Sequence, residues 1–440
     1  MISISSKNFY YIIIVICIVV FGFIYTIYRY TNISIGIYSK AINIYSVSTQ
    51  YKQNVSVISQ SNYDLISFGL SFQNPIYSTQ SNLYTRGISD VMIDLIQDKY
   101  HDIFEENNMK VSIYKEGTYI RVQVKTKVSN LGKAVSIITQ VLANKNFSAV
   151  KLRNIKNTLA SEIDFESKSP KVQMYNYVMK SIWGSKYPIL VNKNSISKIS
   201  MQQLRKYSND TFSRDNVKIA FSGKLGDIFI MEYSNYILSK LNNRAKIKPM
   251  KYNMNLDGKV HVKYYDGLEQ EIIYFVFKLP RVTDKNHHLI LMLHELLAGH
   301  GLNSLLIQKV RYDLGLVYYI HGDLLLETYG NIWVIKANTA INGSDKVIQG
   351  VKDVLKSINS DNKKIDINNI KQWYSNNQLF SISNTSAAVS QLLYYAERSD
   401  NVIPFSDINI NSVGLDDLIN TYNTYANEMT TFIMKRKPEK

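Results

Sequence analysis

One pattern of residue types occurs twice in this chain, about 214 positions apart, and it limits the folds open to the sequence. Ser200-Met201-Gln202-Gln203-Leu204 is matched by Gly414-Leu415-Asp416-Asp417-Leu418, Phe212 by Tyr425, and the β-forming stretch Val217 to Phe221 by Thr430 to Met434. An offset kept over a helix and the strand after it points to duplication of a whole structural unit. Each half mixes strand-like and helical stretches, so the expected class is α+β, with each half an α+β layer.

The chain has 440 residues, room for two domains of ordinary size. Ahead of the repeat, Phe9 to Tyr28 is a run of about twenty apolar or aromatic residues, long enough to cross the hydrocarbon core. Lys7 precedes it, Arg29 follows, and no small-x-small cleavage site comes after, which favours an uncleaved signal-anchor over a cleaved signal peptide. With the amino terminus and Lys7 in the cytoplasm, the remaining chain is expected outside the inner membrane, in the periplasm of a Gram-negative cell. The expected division is a transmembrane segment at 1–29, a tether at 30–42, a first domain at 43–243, a linker at 244–255 and a second domain at 256–440. The linker holds Pro249, four Lys or Arg residues and no periodicity.

The net charge is +16, yet the lysines are scattered among Asn, Ile, Tyr and Ser without a basic stripe, so a nucleic-acid partner is not expected. The single cysteine, Cys17, lies in the apolar run, which excludes an intrachain disulfide or a Cys-based zinc site. Val15-Ile16 before it does not suit a lipobox.

Leu289 to Ala337 carries the most specific pattern. Helical spacing at Leu289, Met292, Leu293, Leu296 and Leu297 is interrupted by Gly299 and Gly301; a second helical run reaches Arg311 and stops at Gly315, and Leu316 to Ile320 reads as a strand. On spacing alone Arg311 caps the negative helix end and Tyr318 packs in a core. The order helix, glycine break, helix, R-x-x-x-G-L-x-Y, strand resembles the pitrilysin/insulinase metallopeptidases, including mitochondrial processing peptidase. That resemblance implies two homologous α/β-sandwich domains. It also implies that Arg311 and Tyr318 of the second domain hold substrate and steady the tetrahedral intermediate at a zinc carried elsewhere. Ser304-Leu305-Leu306 departs from the Ser-Arg-Leu usual in the family. Element order extends the resemblance over most of residues 43 to 436.

The family's catalytic signature is H-x-x-E-H on the first long helix. The matching helix here opens Gly87-Ile88-Ser89-Asp90-Val91-Met92-Ile93-Asp94, so Asp90 and Asp94 take the histidine positions and Ile93 the position of the base. Isoleucine cannot accept a proton, and general-base hydrolysis is lost. Asp90 and Asp94, one turn apart, suit a harder cation or a solvated face. Glu162 matches the third ligand and reads as a remnant. His294-Glu295-Leu296-Leu297-Ala298-Gly299-His300 lacks the one-turn histidine spacing of a zincin, the adjoining His287 and His288 point to different faces, and His101, His261 and His321 have no partner at ligand spacing.

These readings converge on a membrane-tethered, zinc-less member of the family, with no zinc bound by this chain. Its expected place is the accessory subunit of a heterodimer, supplying Arg311 and Tyr318 to a zinc-bearing homologue that cleaves an extended peptide. The alternatives are a non-catalytic scaffold that captures peptides by β-augmentation and, weakest, a peptidase using Asp90, Asp94 and Glu162.

Overall fold

Alternation along the strands decides how this molecule is layered. In Leu65–Gln73 the even positions Ile66, Phe68, Leu70 and Phe72 are apolar and buried, and the odd positions Ser67, Gly69, Ser71 and Gln73 are small or polar and buried too. A strand with two buried faces of different chemistry needs two different covers.

The computed structural model describes residues 42–60, 64–184, 187, 191–250, 252–281, 286–299, 301, 303–327, 329–360, 365–398, 409–426 and 428–438. The expected membrane span and nearly all of the expected tether lie outside these residues. Among the described residues, no helix is long and apolar enough to cross a membrane.

The first half runs β1 (Ile42–Ser48), β2 (Asn54–Gln60), β3 (Leu65–Gln73), α1 (Ile88–Glu106), β4 (Lys110–Glu116), β5 (Tyr119–Lys127), α2 (Leu131–Ala143), α3 (Ala149–Glu166), α4 (Pro170–Trp183), α5 (Lys193–Ser197), α6 (Met201–Thr211), β6 (Val217–Gly223) and α7 (Asp227–Lys240). The second runs β7 (Val260–Tyr265), β8 (Glu271–Leu279), α8 (His287–Ala298), a π-helical segment (Ile307–Asp313), β9 (Tyr319–Glu327), β10 (Gly330–Thr339), α9 (Ser344–Ser360), α10 (Ile367–Ser381), α11 (Thr385–Arg398), α12 (Leu415–Tyr425) and β11 (Met429–Arg436).

The sheets are ordered β1-β2-β6-β3-β5-β4 and β7-β11-β8-β10-β9. Leaving out β1, the two orders correspond strand for strand, and the parallel pairs β2/β6 and β7/β11 fall at the same place. The sequence repeat is the closing helix and strand of each unit. Its polar residues cap the helices: Ser200 accepts from the Gln203 amide at 3.2 Å, and the Gly414 amide donates to Asp417 at 2.7 Å. At this cap Ser200 takes an extended backbone, which keeps α5 and α6 separate helices.

The halves exchange helices. The apolar face of the first sheet packs on helices of its own half, including α1 and α2, while its small, polar face receives α11 from the second half. Reciprocally, Ile272, Tyr274, Val276, Ile332, Val334, Phe432 and Met434 on one face of the second sheet join a core with Met174, Val178 and Ile182 of α4. Ile273, Phe275, Phe277, Trp333, Ile335 and Ile433 on its other face pack on helices of the second half. Leu392 and Leu393 of α11 lie against Ile58 and Ala220, and Gly69 leaves the space they need, since a Cβ there would stand 2.8 Å from Leu393 and 2.5 Å from Val389. Each sheet is thus completed by its neighbour's helix, and the interface between halves is core rather than hinge surface.

Candidate functional site

Gly87 opens α1 with a φ of 86°, a conformation that costs glycine little and other residues more. Asp90 follows in the first turn, where the partly positive helix end favours a carboxylate. Asp94 lies one turn further on the same side. Ile93 points into the first core and is 7% exposed. Lys115, at the end of β4, reaches Asp90 with Nζ 2.5 Å from Oδ1. The α1/α3 packing brings in Glu162. Burial raises the Asp94 carboxyl above the ordinary range, Asp90 and Glu162 push in the same direction, and Lys115 opposes them.

The four positions singled out in the sequence therefore do meet. What they form is a carboxylate cluster into which the Lys115 ammonium reaches. Ile93 is buried without a proton acceptor, and one of the three carboxylates is held by an ammonium group, so the cation of this cluster is Lys115. Among the described residues, no group of three or more His, Cys, Asp or Glu side chains is arranged to hold a metal. His294 accepts from the Trp333 indole at 3.1 Å, and buried His287 meets the Tyr394 hydroxyl at 3.0 Å. Burial, followed by Arg398 and His288, lowers His287 to about 4. His300 lies outside the described residues.

Arg311 sits in the π-helical segment, not at the end of a regular α-helix. The extra residue per turn is closed by Leu314 donating to Lys309 at 3.0 Å and Leu316 to Val310 at 3.1 Å, with Gly315 at a φ of 58° making the exit. β9 starts at Tyr319, so Tyr318 precedes the strand that the sequence placed it on. The cause is local: Val317 turns into the core, 6% exposed, and Tyr318 is left 81% exposed. The Arg311 guanidinium carbon lies 5.6 Å from the Tyr318 ring centre, so the pair is in contact.

β9 runs from this pair to the Asp90 cluster. Its odd residues form one row. The Tyr319 hydroxyl meets His321 at 2.6 Å, His321 lies 3.5 Å from Asp323, and Lys336 of β10 is 2.5 Å from Asp323. The His321 hydrogen bond, and then Lys336, hold the Asp323 carboxyl well below the usual range. Leu325 and Glu327 continue the row into a cavity of about 230 Å³ walled by Tyr77, Tyr175, Trp183, Tyr187 and Tyr329. Lys115 and Gly117 line the same cavity, which places the end of β9 beside the degenerate motif. Strand rise over Tyr319 to Glu327 separates the Arg311/Tyr318 end from the Asp90 end by roughly 27 Å.

Sequence reasoning missed Lys115, Glu327 and the aromatic wall. The alternation Tyr319, His321, Asp323, Leu325, Glu327 was the available signal for the row. Nothing local marks Tyr77, Trp183, Tyr187 and Tyr329 among 33 tyrosines and three tryptophans.

Comparison with known proteins adds four findings. The family model described as the peptidase M16 inactive domain matches residues 198–372. An uncharacterized zinc protease, YmxG, of Bacillus subtilis strain 168 is 21% identical over 295 residues, covering 66% of this chain and 70% of that protein. Among solved structures, the peptidase M16 inactive domain from Pseudomonas fluorescens superposes with a TM-score of 0.76 at 16% identity, covering 90% of this chain and 100% of its own. A protease from Helicobacter pylori gives 0.77 at 15% identity, with coverages of 90% and 100%.

Proposed function

The chain belongs to the pitrilysin/insulinase (peptidase M16) family as a non-catalytic member, and from that premise we propose that it is the accessory half of a two-chain peptidase. In this reading it presents Arg311 and Tyr318 to a homologous subunit that carries zinc. One observation carries the proposal: the pair is stacked and Tyr318 is 81% exposed, whereas this chain's own Asp90 cluster lies at the far end of β9. A contact made outward serves a second chain better than it serves the site behind it.

The chemistry is that of oxyanion support. A guanidinium grips a peptide carbonyl as a charge-assisted donor, and a phenol donates to the oxygen on which charge develops during attack. Zinc, when bound by the partner, would supply the activated water. This chain's residues would orient the peptide and stabilise developing charge. The Phe9 to Tyr28 run would hold the assembly at the inner membrane, with the bulk of the chain on the extracytoplasmic side.

A second reading, a peptide-capturing scaffold, draws support from β4 and β9, which end their sheets with a single strand partner each. The test is affinity purification of the tagged chain from native membranes with identification of what co-purifies. An equimolar homologue carrying H-x-x-E-H is the expected result. In that pair, Tyr318→Phe should lower turnover by about 10-fold or more while leaving assembly intact. Recovery of no such homologue overturns the two-chain reading in favour of the scaffold.

A further inference from the structure

The cavity at the inner end of β9 has a composition that none of the roles above uses. Five aromatic side chains surround it, and four of them brace one another: Trp183 meets Tyr329 edge-on at 5.1 Å, Tyr187 lies 5.5 Å from Tyr329 and 5.9 Å from Trp183, and Tyr77 stacks on Tyr329 at 6.1 Å. The Tyr187 and Tyr329 hydroxyls share a hydrogen bond. Gly330 allows this closeness, since a Cβ there would stand 2.8 Å from the Trp183 ring. Such walls are set before any ligand arrives, which removes much of the ordering cost of binding.

The polar end is acidic. Glu327 lines the cavity and accepts from the Thr118 backbone amide. Asp90 and Asp323 add negative potential, felt at Tyr77 and Tyr175 respectively. Two cations act here and both are engaged: Lys115 at the rim by Asp90, and Arg398, whose charge reaches Glu327, by Glu397 and the backbone oxygens of Tyr394 and Leu326. On a chain of net charge +16, this is an enclosed acidic spot with aromatic walls. Ring faces attract a desolvating cation, and a carboxylate at the end of the slot fixes its head. A volume of about 230 Å³ is below that of drug-sized pockets and suits an alkylammonium.

We propose that this cavity is a binding site for a primary alkylammonium group, held by Glu327 and the ring faces of Tyr77, Tyr175, Trp183, Tyr187 and Tyr329. The group would be either the side chain of a lysine in a bound polypeptide or a free amine. The site belongs to this chain alone and does not depend on the accessory-subunit reading.

Calorimetric titration of the full-length chain in non-ionic detergent with n-butylammonium chloride, and with n-butanol as the neutral isostere, tests it. The ammonium should bind about tenfold or more tightly than the alcohol, and Glu327→Gln should remove that preference. Affinity should also rise between pH 6 and 8, because burial raises the Glu327 carboxyl to about 7. Glu397 and Glu116 add to that rise, while Arg398 and the Thr118 amide oppose it. The acetylated and amidated peptide Ala-Ala-Lys-Ala-Ala separates the sources: tighter binding than butylammonium supports a polypeptide lysine, and equal or weaker binding a free amine. Equal affinity for butanol and butylammonium, or an unchanged ammonium affinity in Glu327→Gln that keeps the wild-type circular dichroism spectrum, overturns the proposal. Tyr329→Phe, which keeps the ring, should retain binding and guards against loss through misfolding.

Discussion

Arg121 and Glu397, 276 residues apart, meet in a two-point ion pair in the contact between the halves: Nε donates to Oε1 and Nη2 to Oε2, each at 2.7 Å. Ser71 donates to the same Oε1 at 2.6 Å, and the Tyr119 hydroxyl donates to the Glu397 backbone oxygen at 2.9 Å. The side chains are 5% and 2% exposed, so removing one partner strands a buried charge. Glu397→Ala is expected to cost about 3–5 kcal/mol, whereas Arg121→Met with Glu397→Leu should cost far less. Urea unfolding followed by circular dichroism checks this. A double variant as damaged as the single one would mean that the pair itself, rather than the stranded charge, supplies the stability.

Why this contact was not legible in the sequence is a matter of range. The two-unit α+β architecture was, because period and repeat are local properties: the closing helices and strands carry them at Ser200 to Phe221 and Gly414 to Met434. That Asp90, Ile93 and Asp94 share the opening turns of one helix was legible too, since helical spacing is local. The helix exchange was not. Helix α11 reads as an ordinary amphipathic helix of the second half, and only packing shows its apolar side against Ile58 and Ala220 of the first. The even-odd contrast in Leu65–Gln73, apolar against small, was the trace it left. Likewise, Lys115 became the counter-ion of Asp90 only once β4 lay beside α1.

Gly69 tests the exchange directly. Its missing Cβ makes room for Val389 and Leu393, which would stand 2.5 and 2.8 Å from one. Gly69→Ala should destabilise the chain by about 1–3 kcal/mol through overpacking. Val389→Ala should recover part of that loss when combined with it, although it opens a cavity alone. Thermal unfolding of the three variants measures the coupling; strictly additive effects would mean that α11 does not press on this strand in solution.

Glu327 makes stability depend on pH near neutrality. Its carboxyl is raised from 4.5 to about 7, chiefly by burial, so the folded state holds a proton that the unfolded chain releases. That contribution is complete below about pH 4.5 and is lost as pH rises through about 7. Glu327→Gln should therefore stabilise the chain at pH 8, by on the order of 1 to 2 kcal/mol after solvent screening, and change little at pH 5. Melting temperatures of both proteins between pH 5 and 8 provide the comparison. Parallel curves would show that Glu327 is not the titrating group.

The Asp90 cluster offers a test of how much of a metal site the fold still provides. Ile93→Glu alone places a carboxylate where the chain buries a side chain at 7% exposure, and should cost about 2–4 kcal/mol. With Asp90→His and Asp94→His, the histidines stand one turn apart, Glu162 stays within electrostatic reach, and Lys115→Ala removes the competing cation. Two imidazoles and a carboxylate would then offer the donor set of a catalytic zinc site, and metal binding would offset the buried charge. The quadruple variant is expected to hold about one zinc per chain by elemental analysis and to lose several degrees of melting temperature with a chelator. A folded variant that retains no zinc would mean that α1 and α3 have moved apart as well as changed residues, so that the site has lost its geometry and not merely its ligands.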